Sequence, residues 1–174
     1  MSESRFQEEV ESLLEACGLT KAPIEVRKIA AHLNIDVRLA PTKKDVSGAL
    51  IVDGDRAYIA VNDTHHINRQ RFTIAHEIGH FRLHNTGDQI HFDEDFRVYS
   101  RDGRSSSAID SQEIEANQFA AELLMPARLL KQDFIRVRGT EDDVVRDLAG
   151  KYKVSAKAME FRLQNLGLIL PDID

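Results

Sequence analysis

Apolar residues recur three or four positions apart in several stretches of the chain, and this spacing predicts most of its helices. Phe6, Val10, Leu13 and Leu14 form such a stripe, which is typical of an amphipathic helix, and Gly18 follows as a natural stop. The same criterion, with capping residues and prolines as boundaries, predicts further helices at about 23–34, 68–84, 111–125, 127–137, 141–152 and 155–167.

Alternation of apolar and polar residues predicts three short strands. The stretch IDVRLA, residues 35–40, alternates as a half-buried strand does. The stretch SGALIVDGDRAYIAVN contains two more runs joined at Asp53 and Gly54, a strong hairpin signal. We therefore expect an α+β fold in which a small antiparallel three-stranded sheet packs against several helices.

Residues 85–110 show no convincing period and are rich in Gly, Asp, Ser and Arg. The pattern predicts a long loop between two helices. Loops of this length in a compact domain are usually functional or disordered.

The helix predicted at 68–84 places polar groups inside its apolar run. It carries His76, Glu77 and His80 among Phe72, Ile74 and Ile78. Burying such groups without a partner costs on the order of 1–3 kcal/mol or more, which makes a metal ion a candidate partner.

The spacing of these residues suits a metallopeptidase. His76 and His80 are four apart and can present two nitrogens to one ion. Glu77 is turned by about 100° and can act as a general base without ligating the ion. The stretch HEIGH is the His-Glu-x-x-His pattern of zinc metallopeptidases. Since Cys17 is the only cysteine, nitrogen and oxygen must supply the ligands.

A third ligand has to come from another part of the chain. The stretch EIEAN offers Glu113 as a carboxylate and Asn117 as an amide that can orient a ligand histidine. Glu115 lies four residues before Phe119, and we expect it to face the apolar stripe of its helix or to lie along the margin of that stripe. The rival donors are Glu115, His91, Asp93, Glu94 and Asp110.

Other parts of the site are less constrained by the sequence. His84 has drifted about 80° from His76, so we expect it to support the site or face the substrate and not to ligate. Candidates for an oxyanion donor are His84, Tyr99 and Arg101. The predicted strand at Tyr58–Val61 is a candidate edge for binding an extended peptide.

Charge and composition limit the alternatives. The 174 residues carry a net charge of −6, which argues against nonspecific binding to nucleic acid. The N-terminal stretch MSESRFQEEVES lacks the features of a secretory signal, and no window approaches the roughly 18 apolar residues of a membrane span. We therefore expect a cytoplasmic protein that makes no membrane contact.

Two regulatory alternatives remain. Segment 141–167 resembles a helix-turn-helix unit and contains a basic cluster, so it could bind DNA directly beside a structural metal. The chain could also be a protein-binding regulator with a vestigial metal site, although Glu77 is needed only for proton transfer and argues against a vestige. The basic cluster of segment 141–167 consists of Arg146, Lys151, Lys153, Lys157 and Arg162.

Two segments, RQRFTIAHEIGHFRLH and EIEANQFAAELLMP, closely resemble the signature segments of the ImmA/IrrE-type metallopeptidase family. The resemblance extends from about residue 5 to 170. It implies a zincin-like peptidase domain at 1–138 and a helix-turn-helix-like C-terminal segment at 139–174.

The same resemblance implies a function. Such a protein would be a zinc protease, with Mn²⁺ as the alternative metal, from a bacterium, phage or mobile element. It would cleave a helix-turn-helix transcriptional repressor and so relieve repression, for example under stress. The implied metal ligands are His76, His80 and Glu113, and the implied catalytic base is Glu77.

Overall fold

The computed structural model describes residues 6–41, 46–84, 89–94 and 106–170, and at residues 89, 91–94 and 106–110 it describes the backbone alone. These ranges contain seven helices and four strands. The helices are α1 (Gln7–Ala16), α2 (Val26–His32), α3 (Ile67–Leu83), α4 (Ser106–Leu124), α5 (Ala127–Phe134), α6 (Glu141–Tyr152) and α7 (Ala156–Asn165); the strands are β1 (Ile35–Ala40), β2 (Val46–Asp53), β3 (Arg56–Asn62) and β4 (Gln89–Glu94).

The predicted α+β class is confirmed, and each predicted helix is present. The prediction of a loop throughout 85–110 is wrong, because β4 occupies part of it and α4 begins at Ser106. Ile90 and Phe92 of β4 do alternate with polar residues, but two apolar positions are too few for a periodic signal. The serines before Asp110 favour caps and turns over helix interiors, so the sequence pattern does not indicate that α4 already begins there.

The sheet is mixed, with strand order β1-β3-β2-β4. Strands β2 and β3 form the predicted antiparallel hairpin, whereas β1 runs parallel to β3, from Ile35 opposite Ala57 to Ala40 opposite Asn62. The expected all-antiparallel, three-stranded sheet is therefore wrong in these details. Alternation of apolar and polar residues reports which face a strand buries, and it is the same for either direction of pairing.

The chain divides into two compact units, Val26–Ala120 and Met1–Glu25 with Ala121–Asp174. In the first unit α3 packs on β2 and β3, with Leu50, Ile59 and Ile78 fully buried. Gly48 makes the close approach possible, since a Cβ there would lie 2.4 Å from the Thr73 methyl and 2.7 Å from the Ala60 carbonyl oxygen. The sheet thus fixes the position of α3.

The second unit contains α1 and α5–α7 around a core that includes Val10, Leu130, Leu148 and Leu163. Its α6 begins with a capping box in which Thr140 and Asp143 bond each other's backbone N–H groups. Between α6 and α7, Lys153 adopts a left-handed conformation with φ 57°. Ser155 then caps α7 by accepting a hydrogen bond from the N–H of Ala158.

Two buried polar contacts hold this second unit together. Arg162 pairs with Glu122 and donates to the carbonyl oxygen of Met125 at 3.1 Å. The Tyr152 hydroxyl donates to Asp133 at 2.8 Å, and Lys151 lies 2.6 Å from the other oxygen of the same carboxylate. Buried polar groups with partners avoid the cost of lost solvation.

Among the helices in the described ranges, none combines the length and apolar character needed to cross a membrane.

Candidate metal centre

Helix α3 carries polar residues on a face that is closed to solvent. The helix begins after His66, whose ring accepts a hydrogen bond of 3.2 Å from the N–H of Asn68. Every residue from Thr73 to His80 is buried. Burial of polar groups on this scale calls for compensating partners within the protein or from a ligand.

Three polar side chains meet at one point beside this helix. The Nε2 atoms of His76 and His80 lie 3.0 Å apart. Glu113 of α4 directs one carboxylate oxygen to each ring, at 3.2 Å from His76 Nε2 and 3.2 Å from His80 Nε2. The structure thus brings together the three residues that the sequence nominated as ligands, and they form a possible metal site.

The donor set suits a divalent cation. A tetrahedral zinc ion with bonds of about 2.0–2.2 Å separates its ligand atoms by about 3.3–3.6 Å. In the cluster the two Nε2 atoms lie 3.0 Å apart, and each lies 3.2 Å from a different oxygen of the Glu113 carboxylate. With one ligand atom taken from each residue, the three atoms lie within 4.8 Å of one another, which is close enough for one ion. Two imidazole nitrogens and a carboxylate are also a ligand set found in catalytic zinc sites, in which a further position stays open.

Gly79 explains how Glu113 reaches the two histidines. A Cβ at this position would lie 3.2 Å from both the Cα and the carbonyl oxygen of Ala116, and 3.3 Å from the Phe119 ring. The backbone of α4 therefore runs directly against α3 one turn after Glu113. Hydrophobic periodicity does not reveal this role of Gly79, but a glycine inside a helix costs about 1 kcal/mol relative to alanine and is itself a signal of close packing or function.

Asn117 contacts the outer edge of one ligand ring. Its Oδ1 lies 3.0 Å from Nδ1 of His76, while Nε2 of the same ring faces Glu113. The predicted contact between Asn117 and a cluster histidine is therefore present. Such a contact fixes the tautomer and the direction of the ring.

His84 and Glu115 lie next to the cluster but outside it. His84 Nδ1 is 3.3 Å from His80 Nδ1, and His84 Nε2 is 3.0 Å from Glu115 Oε2. Glu115, expected in the apolar stripe of α4 or along its margin, is half-buried and contacts His84, the residue that follows α3. Four-residue spacing from Phe119 could not reveal that partner.

Glu77, the predicted base, is completely buried. It follows His76 directly and therefore projects about 100° further around the axis of α3. A carboxylate held this far from bulk water is unusual outside functional sites and paired clusters.

The other residues predicted for the site are not found in this cluster. Tyr99 and Arg101 lie outside the described residues. The expectation that Tyr58–Val61 offers a sheet edge is wrong, because β3 lies between β1 and β2. The rival ligands whose side chains lie outside the described part are His91, Asp93, Glu94 and Asp110.

Residues 30–164 match the M78 peptidase family, described as the IrrE N-terminal-like domain. This range covers most of the 174 residues and includes α3 and α4 with the whole histidine and glutamate cluster. The chain therefore belongs to this peptidase family. The family and the cluster together indicate a metallopeptidase.

The chain is also similar to individual proteins, including the following two. "Uncharacterized immunity region protein 2" of Bacillus phage phi105 is 28% identical over 117 residues, which cover 67% of this chain and 68% of the phage protein. A solved structure named "Mycobacterium tuberculosis transcriptional regulator" has the same fold, with a TM-score of 0.64 at 13% identity over 91% of this chain. This chain spans 46% of the length of that regulator.

Proposed function

We propose that this chain is a zinc-dependent endopeptidase, with manganese as the alternative metal, that cleaves a helix-turn-helix transcriptional repressor in the cytoplasm and so relieves repression. One observation carries the proposal. The ligand atoms of His76, His80 and Glu113 lie within 4.8 Å of one another, and α3, which carries both histidines, also carries the buried Glu77. In this proposal residues 1–138 form the peptidase domain, and residues 139–174 form a helix-turn-helix-like C-terminal segment that takes no part in the chemistry.

The three cluster residues would hold the metal. Bound zinc would supply positive charge that polarises the scissile carbonyl and lowers the pKa of a water molecule. His76 and His80 contribute neutral nitrogens, and Glu113 contributes a negative charge that reduces the net charge of the site. Burial of His76 and His80 limits competition from bulk water.

Glu77 would move the proton during hydrolysis. Its carboxylate accepts a proton from the water whose oxygen attacks the carbonyl carbon. The carbon–nitrogen bond then breaks, and Glu77 returns the proton to the leaving amine nitrogen. A single carboxylate thus serves as base and then as acid, and the proton count balances.

The names of the two similar proteins support a substrate among regulators of transcription. The phage protein is named for an immunity region, and the solved structure is named a transcriptional regulator. A repressor that maintains such a region is a natural target for a peptidase of this kind. Cleavage would relieve repression under stress, or would relieve it to induce a phage or other mobile element.

Direct binding of DNA through 141–167 has less support. A groove between α6 and α7 is lined by Glu141, Asp142 and Glu160, with Arg146 as the basic residue. Since phosphates are repelled by carboxylates, this surface is poorly suited to the DNA backbone. The other residues of the basic cluster, Lys151, Lys153, Lys157 and Arg162, do not line this groove.

The test is cleavage of candidate repressors by the purified protein. Zinc, manganese or a chelator is added, and products are separated on a gel and identified by mass spectrometry. We expect metal-dependent cleavage at one site by the wild type and none by Glu77→Gln. Equal cleavage by the wild type and Glu77→Gln would contradict the mechanism, and binding of metal without cleavage of any repressor would contradict the substrate class.

A further inference from the structure

A chain of contacts links the exposed side of α4 to the metal cluster. Glu115 Oε2 lies 3.0 Å from His84 Nε2, and His84 Nδ1 lies 3.3 Å from His80 Nδ1. The His84 side chain is 9% exposed and that of Glu115 is 24% exposed. This series of contacts therefore starts at the partly exposed carboxylate of Glu115 and ends at the buried ring of His80.

The number of protons on each imidazole determines which atom donates and which accepts in these hydrogen bonds. A neutral imidazole has one N–H and one lone pair. When a metal occupies the cluster, His80 binds it through the Nε2 lone pair, so the proton of His80 is on Nδ1. His84 must then accept at Nδ1, which places its own proton on Nε2, where the Glu115 carboxylate accepts it. One arrangement of protons satisfies all three residues.

We propose that Glu115 and His84 are positioning residues that hold His80 in its Nδ1–H tautomer and fix the direction of its ring. The inference rests on the proposed function to the extent that a metal binds at the cluster. The carboxylate anchors His84, and His84 in turn anchors the ligand. This role goes beyond the three ligands and the base.

The geometry argues against two other roles for His84. Its Nδ1 faces the Nδ1 edge of His80, which is the edge turned away from the cluster nitrogen, so His84 does not point at the metal position. Its Nε2 contacts Glu115, so this nitrogen is not directed at a substrate oxyanion. The ring centroids of His80 and His84 are 5.3 Å apart and tilted by 55°, as expected for an edge contact between rings.

The two cluster histidines are therefore oriented by different means. His76 donates to the neutral amide oxygen of Asn117, at 3.0 Å, whereas His80 donates to an imidazole that is backed by a carboxylate. A carboxylate behind the ligand raises the basicity of the ring more than an amide does. Loss of the Glu115–His84 pair should then weaken the His80 contact to the metal specifically.

The first test measures zinc affinity by competition with a chromogenic chelator. We expect His84→Ala and Glu115→Ala each to bind zinc about 10- to 100-fold more weakly than the wild type. Glu115→Gln should recover part of the loss, because its amide oxygen still accepts from His84. His32→Ala, at an exposed histidine of α2, is the matched control and should leave the affinity unchanged.

Coupling between the two residues provides a second measure. If both act through His80, the double variant His84→Ala with Glu115→Ala should lose no more affinity than His84→Ala alone. Additive losses would mean that the residues act independently. Circular dichroism and thermal unfolding of every variant separate these effects from loss of the fold.

The decisive readout is the histidine tautomer, observed by long-range ¹H–¹⁵N NMR in metal-free and zinc-loaded protein. In the zinc-loaded wild type we expect an Nδ1–H on His80 and an Nε2–H on His84. In metal-free protein, where His80 Nε2 lies 3.2 Å from a Glu113 oxygen, we expect a larger share of the His80 Nε2–H tautomer in His84→Ala than in the wild type. The opposite tautomer on His84, or unchanged zinc affinity in both alanine variants, would overturn the inference. Should the wild type bind no metal, the proposed function fails, while the two tautomers still decide whether this hydrogen-bond chain exists.

Discussion

Asn117 Oδ1 lies 3.0 Å from Nδ1 of His76, on the edge of the ring opposite the nitrogen that faces Glu113. The two residues are 41 positions apart in the chain, and they meet because α4 crosses closely against α3 at Gly79. One helix thus supplies both a carboxylate for the cluster and the amide that orients a ring of the cluster. This relationship makes the site testable by small changes outside the ligand set.

Replacement of Asn117 should weaken metal binding without removing a ligand. We expect Asn117→Ala to lower zinc affinity by about 10- to 100-fold, because His76 loses the acceptor that fixes its tautomer. Asn117→Asp keeps an acceptor and should bind zinc within about tenfold of the wild type. Chelator competition measures both, with the exposed neighbour Gln118→Ala as control. An unchanged affinity in Asn117→Ala would show that the contact does not orient His76.

Removal of cluster residues should abolish stable metal binding. We expect wild-type protein to bind about one zinc ion per chain, and His76→Ala, His80→Ala or Glu113→Ala to lose it on dialysis, since two remaining ligands leave the site open to water. Elemental analysis after dialysis measures the stoichiometry. Near-stoichiometric zinc in a variant that lacks both histidines would place the metal elsewhere.

Glu77→Gln should separate metal binding from catalysis. Glutamine has nearly the same shape but cannot accept a proton at neutral pH, so we expect full zinc occupancy and loss of proteolysis. Elemental analysis and cleavage assays on the same sample give the two quantities. Cleavage within about tenfold of the wild type would remove Glu77 from the mechanism.

Gly79→Ala should harm the site although alanine is the better helix former. Helix propensity alone would favour the variant by about 1 kcal/mol, but the added Cβ would lie 3.2 Å from the Ala116 backbone and push α4 away. We expect zinc affinity to fall by about tenfold or more, equivalent to about 1.4 kcal/mol. Chelator competition measures the change.

Gly150→Ala is the matched control for this substitution. Gly150 lies within α6, and a Cβ there would meet nothing within 4 Å. We expect the variant to raise the free energy of unfolding by about 0.5–1 kcal/mol, with zinc affinity unchanged. A similar gain in stability with unchanged affinity in Gly79→Ala would show that the close contact has no role in the site.

Acid should destabilise the protein partly through Asp133. Burial raises the pKa of this carboxyl, but hydrogen bonds from Lys151 and Tyr152 outweigh burial and hold the pKa below its ordinary value. A depressed folded-state pKa contributes stability above the unfolded value of about 3.9, and this contribution disappears as the pH falls through the folded-state pKa. We therefore expect the urea concentration at the unfolding midpoint to decrease once the pH is lowered below about 4.

Asp133→Asn tests the origin of that acid sensitivity. The variant should be less stable than the wild type at pH 7 and should show a smaller decrease in its urea midpoint between pH 5 and pH 2. The exposed Asp55→Asn, in the turn between β2 and β3, serves as control and should keep the wild-type profile. Parallel profiles for the wild type and Asp133→Asn would assign the acid sensitivity to other groups.

The sequence by itself determined the local elements and the outline of the site. Helical spacing placed His76 and His80 one turn apart on α3, and the polar pair Glu113 and Asn117 four residues apart on another helix. These relations hold because the period of a helix is the same wherever the helix lies. The α+β class followed in the same way from the periods of the helices and of the β2–β3 hairpin.

Only the tertiary structure decided which of these residues meet. The parallel pairing of β1, the fourth strand β4 and the pairing of Glu115 with His84 all depend on contacts between segments far apart in the chain. Residue periodicity contains no information about such contacts, because it reports which face of an element is buried and not what covers that face. Gly79 shows the difference most clearly: in the sequence it is a weak point of a helix, and in the fold it is the place where α4 comes close enough for Glu113 to reach both histidines.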